Sequence, residues 1–376
     1  MNAKNLRISF GVLAVLFIVA GCSTTVSNRR APDTGEPDRA RATLPPRASP
    51  PVAVPAVVKS ATVQKLVAEA ALLAPLVSSS LAKRFLAATD YLPNTGARAI
   101  FKQATPLKYF SQAAANEQTA EARAKLTKSD IDEYRYYYTK YGSPLAYVRA
   151  LDLVAARGSS EVAGRRILDF GYGSIGHLRL LASLGANVTG IDPDSYLAAI
   201  YAEPGDQGRM RGVSGREGNI TLAHGYYPKN PTIVAQVGRG YDLILSKNTL
   251  KRGYIKPERK VPKEQLVDLG VSDEVFLKTL MDAMNPSAIL MIYNLAPAQA
   301  AAGKAYLPHA DARSPFTREQ FVKAGFNVVA LDVPDHDFVR RMGGALGWDK
   351  NEKGEVTQDL NTNLFALYTM VEKPAR

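Results

Sequence analysis

Apolar runs and amphipathic stretches alternate along the second half of the chain. Residues 165–170 form a short apolar run that ends in a glycine-rich turn, and 177–184 carry a helical period that Gly185 stops. The alternation continues. It predicts further strands at 187–191, 219–224, 241–246, 288–293, 326–331 and 364–372, and helices at 195–201, 273–284 and 317–324. Strand-length runs separated by helical periods are the pattern of an α/β fold with a mostly parallel sheet. No internal repeat interrupts it.

Ahead of this domain, assigned to 151–376, the pattern is helical. Val63, Leu66, Val67, Ala70, Ala71 and Ala74 fall on one helical face, and Pro75 ends or kinks the run. A helical extension or cap is predicted over 63–150. Within it, Ser129 to Asp132 offer caps for a helix carrying Tyr134, Tyr136, Tyr137, Tyr138 and Tyr141, with Tyr134, Tyr138 and Tyr141 on one face. A second helix is predicted over 145–156. The tyrosines either line a ligand mouth with ring faces and hydroxyls or pack the helix onto the sheet.

The first residues read as an address. Lys4 and Arg7 precede an apolar run over 8–20 that is too short to span a bilayer and suits a signal-peptide core. Val19-Ala20-Gly21-Cys22 resembles the lipobox of bacterial lipoproteins, which implies a signal peptide over 1–21 and lipidation of Cys22, the single cysteine in the chain. Residues 22–62 are polar and Pro-rich, a composition that reads as a disordered tether. By the same resemblance, Ser23 after the cysteine points to the outer membrane, facing the periplasm. With no second cysteine, no intrachain disulfide is available. The formal charge of +12 is scattered without a run of five like charges, so no nucleic-acid partner is expected.

The chemistry concentrates in Ile167-Leu168-Asp169-Phe170-Gly171-Tyr172-Gly173-Ser174-Ile175-Gly176. Glycines there let backbone amides approach a ligand, and the helix that follows adds free N–H groups. Asp192 falls at the end of the next predicted strand, where a carboxylate accepts from ribose hydroxyls. Gly171-x-Gly173-x-x-Gly176 also fits the nicotinamide-dinucleotide fingerprint.

Asp169 separates these readings. Leu168-Asp169-Phe170-Gly171-Tyr172-Gly173 resembles the first motif of class I S-adenosylmethionine-dependent methyltransferases, Gly190-Ile191-Asp192-Pro193-Asp194 the second, and residues 241–250 the fourth-strand motif. Ala324-Gly325-Phe326 and the last predicted strand resemble that family's closing hairpin. The resemblance implies a Rossmann-like sheet with an antiparallel closing strand and S-adenosylmethionine as cofactor. It implies contacts from Asp169, Gly171, Tyr172, Gly173, Ser174, Gly176, Asp192, Pro193, Tyr226 and Asn248, with Asp169 reaching the methionine amino group. Two departures stand out: Ile175 occupies the third-glycine position, and Tyr226 follows Gly225 where the family has an acidic residue.

Methyl transfer needs orientation first, and a base only when the acceptor must lose a proton. Asn248, Tyr141, Asn294 and His309 are the catalytic candidates, with Arg252 and Tyr293 near the same mouth. Each also has a structural reading. His177 is expected to pack at a helix start, His224 to be a satisfied structural histidine, and Asp335-His336-Asp337 to form a solvated loop, because no further ligand stands at metal-binding spacing. No metal is expected. An exported protein and a cytoplasmic methyl donor are in tension. That leaves a lipid-anchored methyltransferase acting on a small-molecule or envelope substrate, and a non-catalytic nucleoside- or metabolite-binding lipoprotein as the alternative.

Overall fold

The computed structural model describes residues 58–351 and 353–375. The signal segment, Cys22 and tether residues up to 57 lie outside the described residues. Regular structure starts at Ala61, inside the stretch assigned to the tether. Ser60 caps the helix Ala61–Leu73, its hydroxyl accepting the Val63 N–H at 3.2 Å. Val63, Leu66, Ala70 and Leu73 are its buried apolar face, and Pro75 sits in the turn that follows.

The extension is not wholly helical. After the helix Ser80–Ala87 come β1 (Arg98–Gln103), β2 (Lys108–Ser111) and β3 (Thr127–Ile131), an antiparallel sheet in the order β2-β1-β3. Ile100, Phe110 and Ile131 are its buried residues, too few to stand out in an Ala- and Lys-rich sequence. Asp132 caps the tyrosine helix, accepting the Arg135 N–H at 2.8 Å, but that helix covers only Glu133–Tyr137. The chain then turns through Thr139 (φ 52°) and Gly142 (φ 89°). Tyr141 is therefore off the helix, whereas Tyr134 and Tyr138 stack at 4.3 Å.

The central sheet comprises β4 (Arg166–Phe170), β5 (Asn187–Asp192), β6 (Gly208–Arg211), β7 (Glu217–His224), β8 (Tyr241–Lys247), β9 (Met284–Ala296), β10 (Asn327–Pro334) and β11 (Phe365–Glu372). Their order is β10-β11-β9-β8-β4-β5-β7-β6. β4, β5, β7, β8 and β9 are parallel, whereas β11 runs antiparallel to both β9 and β10. β6 is an antiparallel edge strand on β7 that the polar run Gly-Arg-Met-Arg does not announce.

Helices cover both faces, which is why the parallel strands read as nearly continuous apolar runs. On one face Leu168, Ile244, Leu290 and Ile292 pack with Phe276, Leu280 and Phe321. On the other, Ile167, Leu243, Leu245 and Met291 share a core with Leu178 and Leu181 and with Leu66, Phe85 and Leu151. A buried polar knot also ties the extension to the sheet. Asp206 accepts from Arg98 and from the Tyr136 hydroxyl, both at 2.7 Å, and Arg179 donates to Tyr136 Oη and Gly205 O. Residues 59–376 form one compact unit.

Candidate functional site

β4 is the point where the sheet order reverses. Its neighbours β5 and β8 are reached in opposite directions, and open α/β sheets place ligands outside the carboxyl ends of strands at such a point. The glycine turn leaves β4 there, with Gly171 and Gly173 at φ 78° and 60°. A side chain at Gly171 would strike Thr249, whose hydroxyl would lie 2.1 Å from the added Cβ. At Gly173 it would meet the Tyr141 ring at 3.1 Å. Both glycines thus serve close approach, one to the loop after β8 and one to the tyrosine of the extension.

Asp192 ends β5 beside this turn. Its Oδ1 accepts the Asp194 N–H at 2.9 Å. Burial pushes the Asp192 carboxyl up to about 6, and bonds from the Asp194 and Gly173 amides offset part of that rise. Burial acts on Asp194 too, but Lys140 at 2.7 Å, the Tyr196 amide and the Tyr141 hydroxyl at 3.0 Å hold it below the usual carboxylate range. Burial and the two carboxylates push the Tyr141 hydroxyl far up, so it remains a neutral donor.

Behind the turn lies a second ionisable group of residues. Asp169 is fully buried with Oδ2 2.5 Å from His177 Nε2, and the Tyr147 ring stacks on His177 at 3.6 Å. Asp169 therefore does not reach the crevice as the resemblance implied. Its Oδ1 has no hydrogen-bond partner among the described residues. His177 is more than a packing residue: it is buried against that carboxylate, and burial lowers its pKa. Lys247, at the end of β8, lies over the Tyr147 ring, and burial lowers its pKa to about 8 against the opposing pull of Asp169. Lys251 is brought to about 7, chiefly by burial and then by Lys247, with its ammonium donating to the carbonyls of Leu295 and His309. The sequence reading missed both lysines, because lysine flanking a loop ordinarily reads as solvated surface.

The remaining expected contacts divide by burial. Tyr172 packs with Tyr201 and His224, and Ser174 is also buried, its amide donating to the Tyr172 carbonyl, so neither side chain is open at the turn. Gly176 makes room for Pro144, whose Cβ would be 2.7 Å from an added Cβ, so it is a packing glycine. Pro193 is exposed, and Tyr226 is 56% exposed.

The catalytic candidates after β8 and β9 are corrected more sharply. Asn294 is 1% exposed and fully committed: Oδ1 accepts the Asn248 N–H, and Nδ2 donates to Leu250 O at 2.8 Å and Ala312 O at 3.0 Å. Asn248, at φ 63°, uses Oδ1 to accept the Leu295 N–H at 2.7 Å. The two asparagines brace the strand ends. Tyr293 donates to Asp335 at 2.9 Å, and Arg252 pairs loosely with Glu258. His309 is half-buried, its pKa lowered by burial and by Lys251. Nor is 335–337 a solvated loop. Asp335 also takes a two-pronged bond from Arg149, and His336 opens the helix His336–Ala345 while its Nδ1 accepts the Ala366 N–H.

A mostly parallel sheet with an antiparallel strand inserted between β9 and β10 settles the fold. The sheet is of the Rossmann-like, class I methyltransferase type. No protein-family model matches the chain, and no curated protein sequence does. Among solved structures it is similar to a phosphoethanolamine N-methyltransferase 2 from Haemonchus contortus in complex with S-adenosyl-L-methionine, at 13% identity over 78% of this chain and 74% of that one, with a TM-score of 0.36. The cyclopropane synthase MmaA2 from Mycobacterium tuberculosis matches at 14% identity over 59% and 85% of the two chains, with a TM-score of 0.35. Magnesium protoporphyrin IX methyltransferase from Synechocystis PCC 6803 with bound SAM matches at 15% identity over 61% and 79%, at 0.30. At such scores the fold assignment rests on this chain's own strand order. Among the described residues, no helix is long and apolar enough to cross a membrane, and no cluster of three metal-type ligands occurs.

Proposed function

We propose that the chain binds S-adenosylmethionine in the crevice beyond β4 and β5 and transfers its methyl group to a small-molecule or envelope acceptor. The observation that carries the reading is the pairing of left-handed Gly173 with the half-buried Asp192 carboxylate at the ends of two adjacent parallel strands. These residues suit the ribose half of a nucleoside: Asp192 accepts from hydroxyls, and Gly173 adds no side chain at the turn once the Tyr141 ring moves off it. S-adenosylmethionine supplies a methyl carbon already activated on a sulfonium. The protein then has to hold two partners in line, and a base is needed only where the acceptor must lose a proton. Titration calorimetry of the full-length protein with S-adenosylmethionine and S-adenosylhomocysteine tests this. Micromolar binding is expected, and no heat at millimolar ligand would leave only the fold.

One observation favours a second reading, a binding module without transfer. Tyr141 lies on Gly173 and Thr249 on Gly171, so both glycines already have protein neighbours. A competent donor site requires Tyr141 to swing aside. Binding of S-adenosylhomocysteine without turnover of any offered acceptor would favour this alternative.

The proposal includes anchorage. Cys22 carries the lipid and the Pro-rich stretch acts as a tether, which places the folded unit at the membrane surface of the envelope. Globomycin should cause an unprocessed precursor to accumulate. A Cys22→Ser protein that is still processed and membrane-held would remove the anchor from the reading.

A further inference from the structure

A cavity of about 460 Å³ opens where the chain leaves β9, walled by Ala296, Pro297 and Ala298 and, from β11, by Phe365 and Leu367. That volume suits a small molecule. Two carboxylates stand at its rim, but both are spent. Arg313 grips Asp311 through two bonds of 2.7 and 2.8 Å and also reaches Glu258 at 2.7 Å, while the Tyr306 hydroxyl donates to Asp311 at 3.1 Å. These partners hold Asp311 well ionised and neutralised, although burial works against its charge.

The lining groups left over are donors. His336 Nδ1 accepts the Ala366 N–H at 3.1 Å, so the proton of the neutral ring sits on Nε2, which has no acceptor among the described residues. Arg259 also lines the cavity, and it has neither hydrogen-bond nor ion-pair partner among the described residues. A guanidinium and an imidazole N–H over an apolar and aromatic wall make a recognition surface for an anion with a hydrophobic body.

We propose that this cavity binds a small carboxylate, held by Arg259 and His336. Anion binding here stands without the methyltransferase reading. The probes are benzoate and its uncharged isostere benzamide, titrated into the full-length protein by calorimetry with and without S-adenosylhomocysteine. Benzoate should bind on the order of tenfold more tightly than benzamide, and Arg259→Gln should erase that preference. His336→Asn should weaken benzoate several-fold, because an asparagine carbonyl can still accept the Ala366 N–H while the outward donor is lost. S-adenosylhomocysteine affinity should be unchanged in both variants. Equal affinity for the two probes, or a preference untouched by Arg259→Gln, overturns the inference. If S-adenosylhomocysteine binds and benzoate does not, this inference falls alone. If benzoate binds and the nucleoside does not, the methyltransferase reading falls and the anion site stands.

Discussion

The two sides of the crevice use similar polar residues for opposite ends. On the β4–β5 side, Asp192 holds two backbone amides and still keeps a carboxylate edge at the crevice. On the β8–β9 side, Asn294 sits at an equivalent strand end, yet its side chain is committed to the Asn248 amide and the carbonyls of Leu250 and Ala312, while Asn248 uses its Oδ1 to accept the Leu295 N–H. Strand-end position is therefore necessary for a ligand contact but does not decide it. What decides is whether neighbouring loops leave N–H and C=O groups that the side chain must satisfy first.

The largest effect expected from this contrast is on folding. Asn294→Leu strands the buried carbonyls of Leu250 and Ala312, which should cost about 3 kcal/mol of unfolding free energy, while the Asn248 amide keeps its bond to Tyr293 O. Urea unfolding measures it. A loss under about 1 kcal/mol together with lost nucleoside binding would make Asn294 a ligand residue and erase the contrast.

Asp192→Asn should act on the other quantity. Removing the charged acceptor should weaken S-adenosylhomocysteine by about 2 kcal/mol, roughly 30-fold. Stability should move the opposite way. Burial holds the folded carboxyl near 6, above its ordinary value of 3.8, so ionisation opposes folding at neutral pH. The substitution should raise the melting temperature at pH 7, and the gain should vanish by about pH 3, below both values. In the natural protein, nucleoside affinity should fall as the pH drops through 6. A pH-independent affinity would disconnect Asp192 from the ligand.

Gly173→Val tests the turn itself. Its left-handed φ and the nearby Tyr141 ring predict a stability loss of about 1 to 3 kcal/mol, read by thermal melting. Tyr141→Ala should have the smallest effect, tightening S-adenosylhomocysteine by about 1 kcal/mol or less, because the ring no longer has to leave Gly173. Weaker binding in Tyr141→Ala would recast the ring as a ligand contact.

Much of the sheet was legible because a strand buried on both faces must be apolar at almost every position. Residues 165–170, 187–191 and 241–246 needed little else, and Gly185 marked a real helix stop. β1 to β3 were hidden because few of their side chains are buried. The turn at the end of β4 was legible from glycine spacing. Its partners Tyr141 and Thr249 were not, because both approach from distant loops. Asp169 shows the same limit: a motif position was read correctly as a residue, but Tyr147 and His177, which cover it, belong to no local pattern.

The knot at Asp206 has a consequence for heredity. A nucleotide-fold domain is often pictured as a cassette that recombination can move between proteins. Here Arg98 and Tyr136 from the extension neutralise and bond a carboxylate that the sheet domain buries at 1% exposure. A gene fragment starting near residue 151 would encode that acid without either partner and leave Arg179 half-satisfied. Any shuffling event that keeps a folded product has to carry the first strands along, so the transmissible unit is the whole of 59–376.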